Sequence, residues 1–292
     1  MPSTRDIRRR IKSIKNTAQI TKAMQMVASS KMRKAQLAAL AGRPYAQQMN
    51  TMLADATASA TEFTHALMEK RGGQKRAVIL VSTDKGLCGA LNSNLFREAG
   101  KLDKDTTVFV CAGKKGAQFV SRTKRNLAAE FTYKDAPLFA EARAISKFAQ
   151  DLFLKGEVDH VDIMFTNFVS TLVQKPELKT LLPIGEIKGV QAGVHGEDTH
   201  TELKTSGVEF QFEPGADAVL GSLLPHYLNF QVFQILLEAK ASEQSSRMVA
   251  MKNATDNAKQ LIKDLTLEYN KLRQANITKE LLEITTAQMA LG

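Results

Sequence analysis

Apolar residues recur at alternating steps of three and four from Ile7. The series runs through Ile11, Ile14, Ala18, Thr21, Gln25, Ala28, Met32, Ala35, Ala39, Gly42, Ala46, Met49, Leu53, Ala56, Ala60 and Phe63 to Leu67. A period of 3.5 residues held over about eight heptads predicts a long helix whose seam packs against another helix. Many seam positions are Ala, which lets the partner approach closely. Ser3 or Thr4 is a candidate N-cap, and Asp6 in the first turn suits the positive helix end. Gly42-Arg43-Pro44 lies inside the series and is expected to kink or interrupt it.

The same period returns near the other end, from Val219 to Met289, after Pro214-Gly215 and with Pro225 in an early turn. Its seam turns polar at Lys240, Gln244 and Arg247. That means a local change of partner, a widened crossing or a register one step off.

The middle of the chain has another rhythm. Arg76–Ser82, Val108–Ala112 and Val161–Val169 are short apolar runs that read as strands, and Thr180–Ile184 closes a further one. Ala140–Leu154 reads as a helix. Gly185–Gly207 is rich in Gly, Thr and His and reads as a surface loop, followed by a last short strand at 208–213. Strands alternating with helices predict a small, largely parallel α/β domain. The expected fold is a long antiparallel coiled coil of N- and C-terminal helices with an inserted Rossmann-like α/β domain. The boundaries are 1–67, 68–213 and 214–292. Such a chain resembles a shaft with a knob at one end.

Composition agrees with helix packing. Aromatic residues make up only 6% of the 292, Trp is absent, and there are 11 Met. The net charge of +10 is concentrated at one end. Residues 1–40 hold ten Lys and Arg against Asp6 alone, about +9, leaving the remainder near neutral. This basic segment suits an acidic partner surface, or is simply a solvated helix face. Cys88 and Cys111 lack CxxC spacing and fit a reducing compartment. No stretch approaches the length of a membrane span, and no apolar core of a secretory signal opens the chain. The Arg-rich start is like a transit peptide, but its periodicity runs on without a break.

Catalytic constellations are scarce. There is no P-loop pattern. Gly86-Leu-Cys-Gly89 and Gly113-Lys-Lys-Gly116 each follow a strand, where they could hold a phosphate or simply turn the chain tightly. The five histidines show no HExxH spacing. His195 and His200 share a loop with Glu197 and Asp198, but no metal site is expected there. Cys88 could act as a nucleophile only beside a base, and a buried thiol is the simpler reading. The basic helix could bind nucleic acid. However, it lacks interleaved aromatics, and its seam is committed to a helix partner. Met24 and Val27 fall off that seam and can face another protein.

Three motifs then carry a specific resemblance. Ile20–Lys34 reads ITKAMQMVASSKMRK, Ala241–Asn257 reads ASEQSSRMVAMKNATDN, and Tyr269–Leu281 reads YNKLRQANITKEL. With Asp84–Asn92 (DKGLCGALN) between them, they are similar, in order and spacing, to the signatures of the γ subunit of F-type ATP synthases. The resemblance covers essentially the whole chain. It implies a non-catalytic central-stalk rotor of an F1 sector, coupling c-ring rotation driven by a proton gradient to ATP synthesis at the β subunits. The complex is then an H+-transporting two-sector ATPase. The implied partners are α and β around the coiled coil, with ε and the c-ring at the globular end. No cofactor, nucleic acid or membrane span is implied. The place is the cytoplasmic side of the cell inner membrane, as a peripheral protein. By this resemblance Arg273, Gln274, Thr278 and Glu280 match positions that contact an acidic loop of β, and Met24 and Arg247 match positions tied to efficient coupling. Two departures are Ala90 in place of a frequent second Gly and Lys85 in place of a frequent Arg. Cys88 and Cys111 do not look like the regulatory pair of plastid γ chains, so no thiol switch is expected.

Overall fold

A computed structural model of the chain describes residues 3–59, 65–184, 213 and 215–291. The elements in chain order are α1 (Thr4–Ala41), α2 (Arg43–Ser59), a 3-10 turn (Ala66–Met68), β1 (Arg76–Val81), α3 (Leu91–Gly100), β2 (Thr107–Ala112), α4 (Lys114–Arg122), β3 (Asn126–Phe131), α5 (Phe139–Leu154), β4 (His160–Phe168), β5 (Gln174–Leu182) and α6 (Ala216–Leu291). The chain divides into two units, Met1–Val27 with Met248–Gly292 and Ala28–Arg247.

The first unit is a helix pair. Thr21 of α1 and Thr255 of α6 share a hydrogen bond of 2.7 Å between their hydroxyls. Arg5, Arg8, Lys12 and Lys15 line a cleft with Thr266 and Tyr269. Earlier positions in α1 therefore meet later ones in α6, so the pair is antiparallel. Ile7, Met251, Ala258 and Leu265 are buried in the seam. Ser3 caps α1: its hydroxyl lies 3.2 Å from the Asp6 amide and 2.7 Å from the Asp6 carboxylate. Those bonds hold the Asp6 carboxyl below its ordinary value. From Arg273 to Met289 every residue of α6 is exposed.

The second unit carries a five-stranded sheet in the order β3-β2-β1-β4-β5. β1, β2, β3 and β4 run parallel, and β5 is antiparallel to β4. Alternate residues of β1 face opposite sides, as a strand's period of two requires. Ala77, Ile79 and Val81 join a core with α2, α5 and α6, while Val78 and Leu80 join a smaller one with α3 and α4. Ala28, Ala35 and Ala39 of α1 are buried, and Gly42 separates α1 from α2. A side chain at Gly42 would collide with Gln234 of α6.

Three elements depart from the sequence reading. β5 begins at Gln174 rather than Thr180, because four of its first six residues are polar, on an edge strand where Pro176 is also tolerated. β3 was not anticipated: Asn126-Leu-Ala-Ala-Glu-Phe131 has weak strand propensity and only alternate half-burial. The α6 seam after Met251 runs through Thr255, Ala258, Ile262, Leu265, Tyr269 and Leu272, whereas Leu261 and Glu268 are exposed. The 3-and-4 alternation counted from Val219 puts Leu261 and Glu268 in the seam, so that register is one step off at those positions. Most of the loop and strand expected at 185–213, with His195, Glu197, Asp198 and His200, lies outside the described residues.

Candidate functional site

In a doubly wound sheet, ligands bind beyond the C-terminal ends of the strands, where the strand order reverses. Here that place lies between β1 and β4. It is occupied by residues 240–247 of α6, none of which is exposed. Lys240, Ser242, Glu243, Gln244 and Ser245 are all at most 4% accessible. The polar stretch of the seam is therefore a change of partner. At this point the helix leaves apolar neighbours and enters a socket built from loops.

The socket holds the helix mainly through main-chain oxygens. The Ser245 hydroxyl donates to Thr171 O in the β4–β5 hairpin at 2.9 Å. The Ser246 hydroxyl donates to Cys88 O in the β1–α3 turn at 2.7 Å. The Arg247 guanidinium reaches Gly86 O at 3.3 Å and Lys85 O at 3.4 Å.

A chain of charges runs along the same helix face. Glu243 accepts from Lys240 at 2.9 Å and from Arg247 at 2.8 Å, one carboxylate oxygen to each. Lys240 lies 4.6 Å from the centre of the Tyr133 ring and 3.9 Å from Asp135. Asp135 also pairs with Lys31 of α1 at 2.6 Å. The Lys31 hydrogen bond holds the Asp135 carboxyl below its ordinary value. Tyr133 donates to Ser82 O at 3.2 Å, and burial raises its phenol well above the usual range, with the charges of Glu243 and Asp84 adding to the rise. A buried pair of this kind gives little net stability, yet deleting one partner costs about 3–5 kcal/mol because the other charge is stranded.

Of the two glycine turns, the one at Gly113–Gly116 packs closely against Ser82, whereas a side chain at Gly86 would meet nothing within 4 Å. Gly113 has φ +112°, and a side chain there would run into the Ser82 carbonyl. Cys88 is 2% accessible and burial raises its thiol, which agrees with the buried-thiol reading. Burial pushes the Cys111 thiol up to about 12. Among the described residues no cluster of His, Cys, Asp and Glu could hold a metal ion, and no helix is long and apolar enough to cross a membrane.

The six residues singled out by motif fall in different places. Arg273, Gln274, Thr278 and Glu280 are exposed together on the final stretch of α6, where the Thr278 hydroxyl donates to Gln274 O at 3.0 Å. Met24, on α1, is half-buried in the same unit. Arg247 belongs to the other unit. Its side chain is only 11% accessible and is engaged by Glu243, so it is an internal residue of the socket. Glu243, Asp135 and Tyr133 escaped the sequence reading. Glu243 lies in the quoted Ala241–Asn257 motif and beside the polar interruption of the seam, whereas Tyr133 and Asp135, after β3, left no signal.

Comparison with known proteins follows the same lines. The family described as ATP synthase matches residues 3–291. The chain is 50% identical to the ATP synthase gamma chain of Opitutus terrae over 99% of both chains. It is 47% identical to that of Methylacidiphilum infernorum over the full length of both. Its fold is similar to a chain of the Euglena gracilis mitochondrial ATP synthase F1/c-ring structure, with a TM-score of 0.70 at 20% identity, covering 99% of this chain and 94% of that one. A chain of the Tetrahymena thermophila central stalk and c-ring gives 0.60 at 24% identity, covering 80% and 99%.

Proposed function

The chain belongs to the ATP synthase family as a gamma chain, and on that premise we propose that it is the non-catalytic rotor of the complex. It turns as part of the central stalk and couples c-ring rotation to ATP synthesis. The chemistry itself belongs to the β subunits. The observation that carries this reading is the filled crevice: the α/β unit's customary ligand site holds the chain's own α6, which leaves the long helices as the working surface.

The partners follow. The helices of residues 1–67 and 214–292 stand within a ring of α and β subunits, and the α/β domain of residues 68–213 meets ε and the c-ring. Arg273, Gln274, Thr278 and Glu280 engage an acidic loop of β, and Met24 and Arg247 serve coupling. The four polar residues on α6 are exposed, which supports that role. Exposed charge contacts are worth about 0–1 kcal/mol each, so they can be exchanged at every step of a rotation without a deep trap. The complex sits on the cytoplasmic side of the cell inner membrane, with this chain peripheral to it.

The test is co-purification. Tagged chain should bring down α, β and ε together with ATPase activity, whereas the chain purified by itself should hydrolyse no ATP. Robust hydrolysis by the lone chain, or failure to recover β, would overturn the reading.

A further inference from the structure

The socket is specified by one carboxylate. Glu243 is 4% accessible and is shared between Lys240 and Arg247. Each of those cations reaches a different loop of the α/β unit: Lys240 reaches Tyr133 and Asp135 after β3, and Arg247 reaches the Lys85 and Gly86 carbonyls after β1. Through Asp135 the chain continues to Lys31 of α1. Apolar contacts tolerate small slides, but a hydrogen-bonded ion pair has one favourable geometry and a steep penalty away from it. Among the described residues the neighbouring Ser242 hydroxyl has no hydrogen-bond partner, so the setting rests on the ion pairs.

We propose that Glu243 is a positioning residue for energy coupling: by holding Lys240 and Arg247 against two separate loops, it fixes the α/β domain at one rotational setting on α6. Load applied to the domain is then borne by the helix without slip. The proposal rests on the rotor reading above. It adds to that reading the joint inside this chain through which the work passes.

The experiment uses the complete complex in sealed vesicles, with wild-type chain, Glu243→Gln or Glu243→Asp. ATP hydrolysis, ATP-driven proton pumping and gradient-driven ATP synthesis are measured on the same preparations. Gln keeps the shape but strands both cations. Synthesis and protons pumped per ATP should fall by about tenfold, while hydrolysis falls by about threefold at most; Asp should recover at least about half of the lost coupling. Parallel loss of hydrolysis and synthesis, or normal coupling in the Gln variant, would refute the proposal. If the Gln variant does not assemble, Asp135→Asn serves instead, since that residue is half exposed. It should lower protons pumped per ATP by about twofold, and an unchanged ratio would refute the proposal. Failure of the rotor reading itself would appear earlier, as wild-type chain that restores no coupled activity.

Discussion

Thr21 and Thr255 join their hydroxyls at 2.7 Å across the helix pair, from positions 234 residues apart in the chain. Both side chains are buried, and the Thr255 hydroxyl also donates to Met251 O at 2.8 Å. Thr21→Val or Thr255→Val alone should cost at most about 1 kcal/mol, since the remaining hydroxyl loses its cross-helix partner but keeps a carbonyl of its own helix, Ala18 O at 3.1 Å for Thr21 and Met251 O for Thr255. The double variant should cost clearly less than the two losses added, because the bond the two hydroxyls share is lost only once. Urea unfolding of the four proteins measures the coupling, and simple additivity would show that the two hydroxyls act independently.

Asp135 makes part of the fold acid-sensitive. Its folded-state pKa is depressed below the ordinary 3.8, chiefly by the Lys31 hydrogen bond. A depressed carboxyl contributes stability that is fully present above the unfolded value and is lost as pH falls through the folded one. The window therefore lies below about pH 4. The residue is half exposed, so the effect is small, within about 1 kcal/mol. Asp135→Asn should be slightly less stable than wild type at pH 7 and equal to it near pH 2. A constant gap at both pH values would show that the carboxylate is not the source.

The glycine turns offer a contrast. Gly113→Ala forces a side chain onto the Ser82 carbonyl at a positive φ, whereas nothing lies within 4 Å of the position a side chain would take at Gly86. Gly113→Ala should destabilise by about 2 kcal/mol or more, and Gly86→Ala by no more than about 0.5. Thermal unfolding checks both.

Cys88 and Cys111 should be silent in the native protein. Both are buried and their thiols are raised. Iodoacetamide should label neither at neutral pH until denaturant is added, because the thiolate is the reactive form. Activity of the assembled complex should be equal with and without a reductant, and strong reductive activation would contradict this.

The α1 seam was fully legible in the sequence: every position of the series from Ile7 to Leu53 is buried or half-buried. A helix covered on one side leaves its period in the residues. α6 was harder to read, because from Leu220 to Ser245 it is enclosed nearly all round and has no single seam. The polar residues at 240, 244 and 247 left three readings open in the sequence, and the structure shows the change of partner: they lie in the joint. Its acceptors are the main-chain oxygens of Lys85, Gly86, Cys88 and Thr171, which any residue supplies, so no side-chain pattern betrayed them. Arg273, Gln274, Thr278 and Glu280 were found by motif alone, since on an exposed helix their spacing resembles any solvated face.

That exposure leads to a clean separation of stability from function. Arg273→Ala or Glu280→Ala should leave unfolding of the isolated chain within about 0.5 kcal/mol of wild type. A fall in ATP synthesis by the assembled complex would then reflect lost partner contacts. Normal synthesis in the double variant would remove these residues from the proposed interface.

The socket's reliance on main-chain oxygens has an evolutionary side. Backbone carbonyls survive substitution, so the domain can change the residues of its gripping turns without changing the grip. The helix supplies side chains and has no such freedom. Drift in the β1–α3 turn and the β4–β5 hairpin, with constancy in the helix segment they hold and in Tyr133 and Asp135, would be the mark of such a joint. A diverging domain could thus be refitted to new neighbours while its seat on the helix stayed the same.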